Sequence, residues 1–428
     1  MWKTKFSLGI INAIRLKEKV MNLKQMFKRY CAFLVLFLLF LATNFQNPAL
    51  ALTPQGLYDR AWRLINAKYV DDTQNQQNWQ RWRHKYDAVI KDEDDAYVAI
   101  GTMVDSLGDV YTKFLTPKEY KEETESIKGS LNGIGVQIGV RDGKLLIIAP
   151  LEDTPGERAG LKSEDEILEI DGKSTKGIKV EAAADQIKGP EGTSVKLLIK
   201  RNGEENKYYV IQRAKIELKS VSTKPPKIGK VDDNLGYIRL SSFISRNAAS
   251  EFQEALNKLK TKDGLIIDLR SNPGGLLDNA IYIADMLLSS KVIVSTVDKD
   301  GYKETQNSLS TVQTNQPIVV LINGGSASAS EILSGALKDN KRAIIVGKKS
   351  FGKGLVQEIN NLPDGSALHI TIQKYLTPNG TDIHKKGITP DYEVDFTEQN
   401  AKDKVDPQLE KACEILQKQV HKYANAAK

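Results

Sequence analysis

The chain has 428 residues, enough for two or three domains, and 40% of them are hydrophobic, which excludes a wholly disordered protein. Two cysteines exclude a disulfide framework and a cysteine-rich zinc fold. The formal charge of +7 invites nucleic acid or a membrane as partner, but residues 1–51 carry eight Lys or Arg against a single acid, while 52–428 hold 53 residues of each sign. The mature part is neutral, and no net-charge argument for nucleic acid survives.

Residues 1–51 read as an export leader. Lys28-Arg29 precede an apolar run over 32–42, and Ala49-Leu50-Ala51 supplies the small-residue cleavage site. The run is short for a spanning helix of ~20 residues. The expectation is an exported chain with no stable membrane span after leader removal. Cys413 is then the single cysteine, a small core residue in a helical pattern.

Residues 52–125 read as helical, with Tyr58, Trp62, Ile65 and Tyr69, then Ala96, Ile100, Met103 and Leu107, at helical spacing. Trp62, Trp79 and Trp82 are expected to pack with one another. Over 126–214 the pattern turns to short alternating runs at 135–138, 145–148, 195–199 and 208–211, separated by turn signals such as Asp171-Gly172 and Asn202-Gly203. This is a small β-rich module with one or two short helices. Lys224-Pro-Pro-Lys227 looks like a linker. Over 215–395, buried-strand runs at 236–240, 264–268, 292–294 and 317–322 alternate with helical patterns at 247–260, 276–288 and 328–338, an α/β layer arrangement. In 396–428, Asp406-Pro407 opens a helix whose stripe is Leu409, Cys413, Leu416 and Val420.

Chemistry is sparse. None of His84, His369, His384 and His421 is spaced with another His or Cys as metal ligands would be, and neither Gly-x-Ser-x-Gly nor Gly-Asx-Ser-Gly-Gly occurs. No metal or other cofactor is expected. Three segments remain. Gly324-Gly-Ser-Ala-Ser-Ala-Ser-Glu331 follows a buried strand and opens a helix, where unpaired N–H groups can stabilise an oxyanion; its bland reading is a capping box, Ser328-x-x-Glu331. In Ser350-Phe-Gly-Lys-Gly-Leu-Val-Gln357, Lys353 between two glycines can serve as general base if desolvation keeps it neutral; the bland reading is a surface turn. If 353–357 is extended, the even spacing puts Gln357 on the same face as Lys353, where its amide oxygen could orient the amine. Asp268-Leu-Arg-Ser-Asn-Pro-Gly-Gly275 ends a strand in a turn able to present backbone N–H groups to an anion.

Together these segments resemble the C-terminal processing peptidases, or tail-specific proteases: serine proteases with a Ser-Lys pair and an inserted PDZ domain. The likeness extends to Leu107-Gly-Asp-x-Tyr-Thr-x-Phe-Leu115, Lys374-Tyr-Leu-Thr-Pro-Asn-Gly380 and Gly387-Ile-Thr-Pro-Asp391. Spacing alone does not separate Ser326, Ser328 and Ser330. The resemblance implies Ser328 as nucleophile, Lys353 as base and Gln357 as its orienter, with an oxyanion hole from Ala329 and Gly274. It also implies a PDZ domain in which Gly133, Ile134, Gly135 and Val136 form the loop that meets a substrate's terminal carboxylate. Two departures from the PDZ pattern are Ser163-Glu164-Asp165 in place of Pro-Gly-Asp, and Lys188 where Arg is common. The implied fold is a helical N-terminal region, the PDZ insert, and a crotonase-like, Clp-protease-like α/β core. The implied function is an exported endopeptidase of the periplasm or thylakoid lumen acting near the C-terminus of protein substrates, compatible with an oligomer. The rivals are a catalytically silent PDZ scaffold or adaptor, disfavoured by the presence of Ser, Lys and Gln together, and an acyl-CoA enzyme, disfavoured by the export leader.

Overall fold

The computed structural model describes residues 53–426 except 152, 153, 218 and 310, so the expected leader lies outside the described residues. Thr53 accepts the N–H of Gly56 and Pro54 takes the first helical position, starting helix α1, Pro54–Lys68. The short α2 (Gln80–Arg83) and α3 (Glu93–Asp105), capped by Asp92, follow. Tyr58, Trp62 and Ile65 meet Trp79, Trp82, Ala96, Ile100 and Met103 in one buried cluster, so the three tryptophans do pack together. The region is not helical throughout. Strand β1 (Lys113–Leu115) pairs antiparallel with residues 367–369 before α4 (Pro117–Ile127) begins. Three residues are too few to carry a period, and their extended state is imposed by the edge of a distant strand.

The β-rich module hangs on a two-stranded stem. Strand β2 (Ser130–Gly133) enters it, followed by β3 (Val136–Arg141), β4 (Lys144–Pro150), the single turn α5 (Pro155–Arg158), β5 (Glu166–Ile170), β6 (Lys173–Ser174), α6 (Val180–Ile187), β7 (Ser194–Lys200) and β8 (Lys207–Gln212). Strand β9 (Ala214–Glu217) leaves beside β2, with Ser130 opposite Glu217. The sheet order is β3-β4-β5-β7-β8, with β6 against β5, so β3 is an edge strand. Its core is aliphatic, including Ile134, Ile147, Ile167, Ile170, Val195 and Leu197. At the altered turn, Glu164 adopts φ +69°, where glycine would be unstrained, and Arg141 grips its carboxylate with both terminal nitrogens at 3.1 and 2.9 Å.

Beyond the linker and the short β10 (Val221–Ser222), the core alternates as expected: β11 (Leu235–Leu240), α7 (Ala248–Leu259), β12 (Gly264–Asp268), α8 (Leu277–Leu287), β13 (Val292–Asp298), β14 (Lys303–Asn307), β15 (Ile318–Ile322), α9 (Ala329–Asp339), β16 (Ala343–Gly347), β17 (Leu355–Asn361), β18 (Ala367–Leu376), β19 (Tyr392–Glu393), α10 (Glu398–Lys402) and α11 (Pro407–Ala426). One sheet runs β10-β11-β12-β15-β16-β19, parallel except at β10. Its residues alternate between two buried faces. Leu265, Ile267, Ile318 and Val320 meet α7, α8 and α9, whereas Ile266, Val319 and Leu321 meet Leu409, Cys413 and Leu416 of α11. Coverage of both faces explains the unbroken apolar runs of its central strands. The run at 292–294 is a strand, but it belongs to a second, antiparallel sheet in which β18 pairs with β1, β13 and β17. No helix among the described residues is long and apolar enough to cross a membrane.

Candidate active site

The three serines that spacing leaves equivalent have different surroundings. Ser326 is buried, and its hydroxyl donates to the Leu269 carbonyl at 2.8 Å and accepts the Asn323 N–H at 3.0 Å. Ser330 is buried too, donating to the Asn272 carbonyl at 2.9 Å. Ser328 between them is half-buried and sits at the head of α9 with φ +53°, a conformation that costs a non-glycine residue about 1–3 kcal/mol. The neighbouring hydroxyls anchor the loop to the turn that follows β12, and the strained residue is carried at its tip.

The turn after β12 is built around Asn272. Its amide donates to the Leu240 carbonyl at 2.8 Å, and its own carbonyl accepts the Ala327 N–H at 3.0 Å. Gly274, at φ +97°, lies directly against the serine. A Cβ there would come within 2.6 Å of the Ala327 carbonyl oxygen and 2.9 Å of both Ser328 Cβ and the Ala329 nitrogen. The two implied oxyanion donors differ in availability. Ala329 is the first residue of α9, so its N–H has no acceptor within the helix. The Gly274 N–H is donated to Asn272 Oδ1 at 2.9 Å. Upstream, Asp268 is buried and holds Arg270, which reaches on to Asp406 at the start of α11. Burial alone would push the Asp268 carboxyl up, but the bonds and charge of Arg270, with the charge of Arg239, hold it below the usual carboxylate range.

Lys353 is aimed by squeezed backbone. A Cβ on Gly354 would lie 2.7 Å from the His384 nitrogen, and one on Gly352, at φ +91°, would lie 3.0 Å from the Gly387 and Lys386 nitrogens. The flanking glycines are therefore a close approach of two main chains rather than a surface turn. The amine makes no hydrogen bond or ion pair among the described residues and lies 4.7 Å from the centre of the Tyr111 ring. Burial lowers its pKa, helped by the charge of Lys113, while Asp109 and Glu331 pull the other way.

Glu331 joins the two segments. This carboxylate is fully buried. Its Oε1 accepts the Ser350 hydroxyl at 2.5 Å and the Gly352 N–H at 2.7 Å; its Oε2 accepts the N–H groups of Ser328 and Lys353, each at 2.9 Å. The expected capping box is present, but the glutamate does much more than cap. Tyr375 adds a second link, donating to the Lys353 carbonyl at 2.6 Å with the Ser328 carbonyl 3.2 Å away. Sequence reading gave Glu331 only the capping role and Tyr375 none. The one available signal was that a carboxylate so close to the serine, in a segment of tiny residues, had to find donors.

The even-spacing argument for Gln357 does not hold. Strand β17 begins only at Leu355, so Lys353 lies outside the extended ladder in which side chains two apart share a face. Gln357 Nε2 donates to Thr371 Oγ1 at 3.3 Å, and no hydrogen bond joins Gln357 to Lys353. In the β-rich module, Gly133 closes the stem strand β2 opposite Ala214, and the Ile134 side chain is buried in the module core. Gly135 has φ +72° and its carbonyl accepts the Leu151 N–H at 2.8 Å, while Val136 starts the edge strand β3.

The Peptidase family S41 profile matches residues 234–394, and a PDZ domain profile matches 146–201. The carboxyl-terminal-processing protease of Synechocystis sp. is 42% identical over 354 residues, 81% of this chain and 82% of that protein. The chain belongs to the carboxyl-terminal-processing protease family. The protein of that name from Picosynechococcus sp. is also 42% identical, over 364 residues, 83% of this chain and 87% of the relative. A solved structure described as the photosystem II D1 C-terminal processing protease is 31% identical and superposes with a TM-score of 0.54 over 80% of this chain and 93% of the other. The molecule is thus a serine-type C-terminal processing peptidase with the S41 fold and a PDZ domain, which retires the silent-scaffold and acyl-CoA readings.

Proposed function

We propose that this protease is an exported endopeptidase in which Ser328 is the nucleophile, Lys353 the general base, and the PDZ domain the holder of the substrate's C-terminal tail. The observation that carries the reading is the pairing of backbones through Glu331. One buried carboxylate binds the main chains of a strained, half-exposed serine and of a half-buried lysine whose amine has no ion-pair partner among the described residues.

The chemistry follows from these positions. Ser328 Oγ attacks the scissile carbonyl carbon as neutral Lys353 Nζ takes the hydroxyl proton. The carbonyl oxygen becomes an oxyanion facing the Ala329 N–H. A second donor from Gly274 requires its bond to Asn272 to be exchanged for the substrate oxygen. The tetrahedral adduct collapses, the C–N bond breaks, and the Lys353 ammonium returns its proton to the leaving amine. Neutral Lys353 then deprotonates water, which attacks the ester, and the acid product departs with Ser328 restored. In the resting arrangement the amine lies over Tyr111 and makes no hydrogen bond among the described residues. Gln357 Oε1 accepts no hydrogen bond among the described residues and is left free to accept from the amine.

Tail recognition would use the edge strand β3 with α6 beside it. A peptide can add there as a further strand, its carboxylate meeting the loop 133–136. The N–H groups of Ile134 and Gly135 have no acceptor among the described residues. Export rests on the expected leader and on kinship with cyanobacterial proteases.

The test is a tail peptide offered with a free or an amidated C-terminus to wild type and to Ser328→Ala. The proposal expects no turnover by the variant at unchanged thermal stability, and a lower kcat/KM for the amide with the wild type. Wild-type turnover by Ser328→Ala refutes the nucleophile; equal use of both peptides refutes tail reading by the PDZ domain.

A further inference from the structure

The amine of Lys353 rests against the face of the Tyr111 ring, 4.7 Å from its centre, on a segment whose backbone is tightly bonded. Tyr111 sits between α3 and β1, where Asp109 organises the backbone. Asp109 Oδ1 accepts the Tyr111 N–H at 3.0 Å, and Oδ2 accepts the hydroxyls of Thr112 at 2.7 Å and Thr371 at 2.6 Å. The Thr371 N–H donates to Thr112 Oγ1 at 3.0 Å. The backbone that carries the ring is therefore tied to β18 of the protease core, though its residue belongs to the N-terminal region. Thr371 also receives the Gln357 amide, so the supports of Gln357 and Tyr111 share one side chain.

An aromatic face attracts a cation and is indifferent to a neutral amine. A lysine base alternates between those two states in every turnover, being neutral when it meets the serine hydroxyl and charged once it holds the proton. A ring at this place favours the second state, and catalysis gains only from interactions that strengthen on the way to the transition state.

We propose that Tyr111 is a positioning residue for the base: its ring face seats the Lys353 ammonium while the amine carries the serine proton. The inference rests on the reading of Lys353 as general base. The other groups that bear on this amine are Lys113 on β1, Asp109 before it and Glu331 on α9, with the Tyr375 hydroxyl on the Lys353 carbonyl and His384 packed against Gly354. Burial keeps the His384 pKa below its ordinary value, so it stays neutral on the alkaline side. Burial and the charges of Asp109 and Glu331 raise the Tyr111 phenol, which stays protonated there. The neutral-to-alkaline limb of the rate profile accordingly belongs to Lys353.

The experiment measures kcat and KM against pH for wild type, Tyr111→Phe and Tyr111→Leu, using a fluorogenic peptide with a free C-terminus, with Tm recorded for each. Leucine keeps apolar bulk and removes the π face. Its limb should move to lower pH by about 0.4–1.5 units, since the charged amine has lost its support. Its plateau kcat should fall about 2- to 30-fold, with KM unchanged. Phenylalanine keeps the face and should restore both limb and plateau. A limb that stays in place with leucine, or a phenylalanine variant that loses as much as leucine, overturns the proposal. Ser328→Ala, run alongside, separates the two readings. If it is active, the serine–lysine reading fails. If it is inactive while Tyr111→Leu keeps the wild-type limb, the role of Tyr111 alone fails.

Discussion

Glu331→Gln is the substitution on which most of the site's architecture depends. The carboxylate accepts four hydrogen bonds, two on each oxygen, from Ser350, Gly352, Ser328 and Lys353. Glutamine is nearly the same size, but its amide nitrogen turns two of those acceptor positions into donors. Two donors are then left facing an N–H₂ group. Each orphaned buried donor costs about 1–3 kcal/mol, so the loss is about 2–6 kcal/mol. An amide avoids the carboxylate's desolvation penalty, which offsets part of this and leaves about 2–4 kcal/mol. Urea unfolding followed by far-UV circular dichroism is the suitable assay, because Trp62, Trp79 and Trp82 all lie in the N-terminal cluster and their fluorescence reports that cluster rather than the catalytic core. Activity should fall further than stability. The same carboxylate sets the positions of the Ser328 and Lys353 main chains, and a misplacement of about 1 Å can cost ~100-fold in rate. A Gln variant within about 0.5 kcal/mol of wild type, with kcat within about twofold of wild type, would refute the idea that this four-way acceptor holds the site together.

Three further outcomes follow from the same geometry. Ser326→Ala and Ser330→Ala should each destabilise by about 0.5–1.5 kcal/mol in urea, by removing one hydrogen bond to a buried carbonyl that keeps a backbone N–H donor, while measurable turnover survives, unlike in Ser328→Ala. Gly274→Ala should lower Tm and abolish turnover together, because its Cβ would lie 2.6 Å from a backbone oxygen and 2.9 Å from Ser328 Cβ; a stable, active variant would show that this contact is not tight. The Asp268 carboxyl is held below the usual range. Its contribution is therefore fully present above the unfolded-state pKa of about 3.9 and is lost as pH falls through the lower folded-state value. Asp268→Asn should flatten the acid limb of stability measured by urea unfolding between pH 5 and 2, and an unchanged limb would refute the assignment.

Much of the molecule was legible in the chain because local signals agreed with the tertiary outcome. The apolar runs over 236–240, 264–268 and 317–322 are central strands of a sheet buried on both faces, where no alternation is needed to mark them. Asp406-Pro407 opens a helix whose Leu409, Cys413 and Leu416 are buried. Where the local signal was short or relational, it failed. Three residues of β1 could not announce a strand, and the start of β17 at Leu355 overturned a parity argument that assumed an extended chain from Lys353. The run at 292–294 was correctly a strand, yet nothing in it tells which sheet it joins.

The amino-acid sequence by itself determined the family, the order of its parts and the two segments that carry serine and lysine, because these are properties of contiguous residues with their own capping, turn and periodicity signals. Only the tertiary structure decided which of three serines is spared from the core, and that Glu331 joins the serine segment to the lysine segment. It alone places the aromatic ring of Tyr111 beneath the amine. Those facts depend on contacts between residues far apart in the chain, set by how sheets and helices close over one another, and no local pattern encodes the partner of a buried hydroxyl or carboxylate.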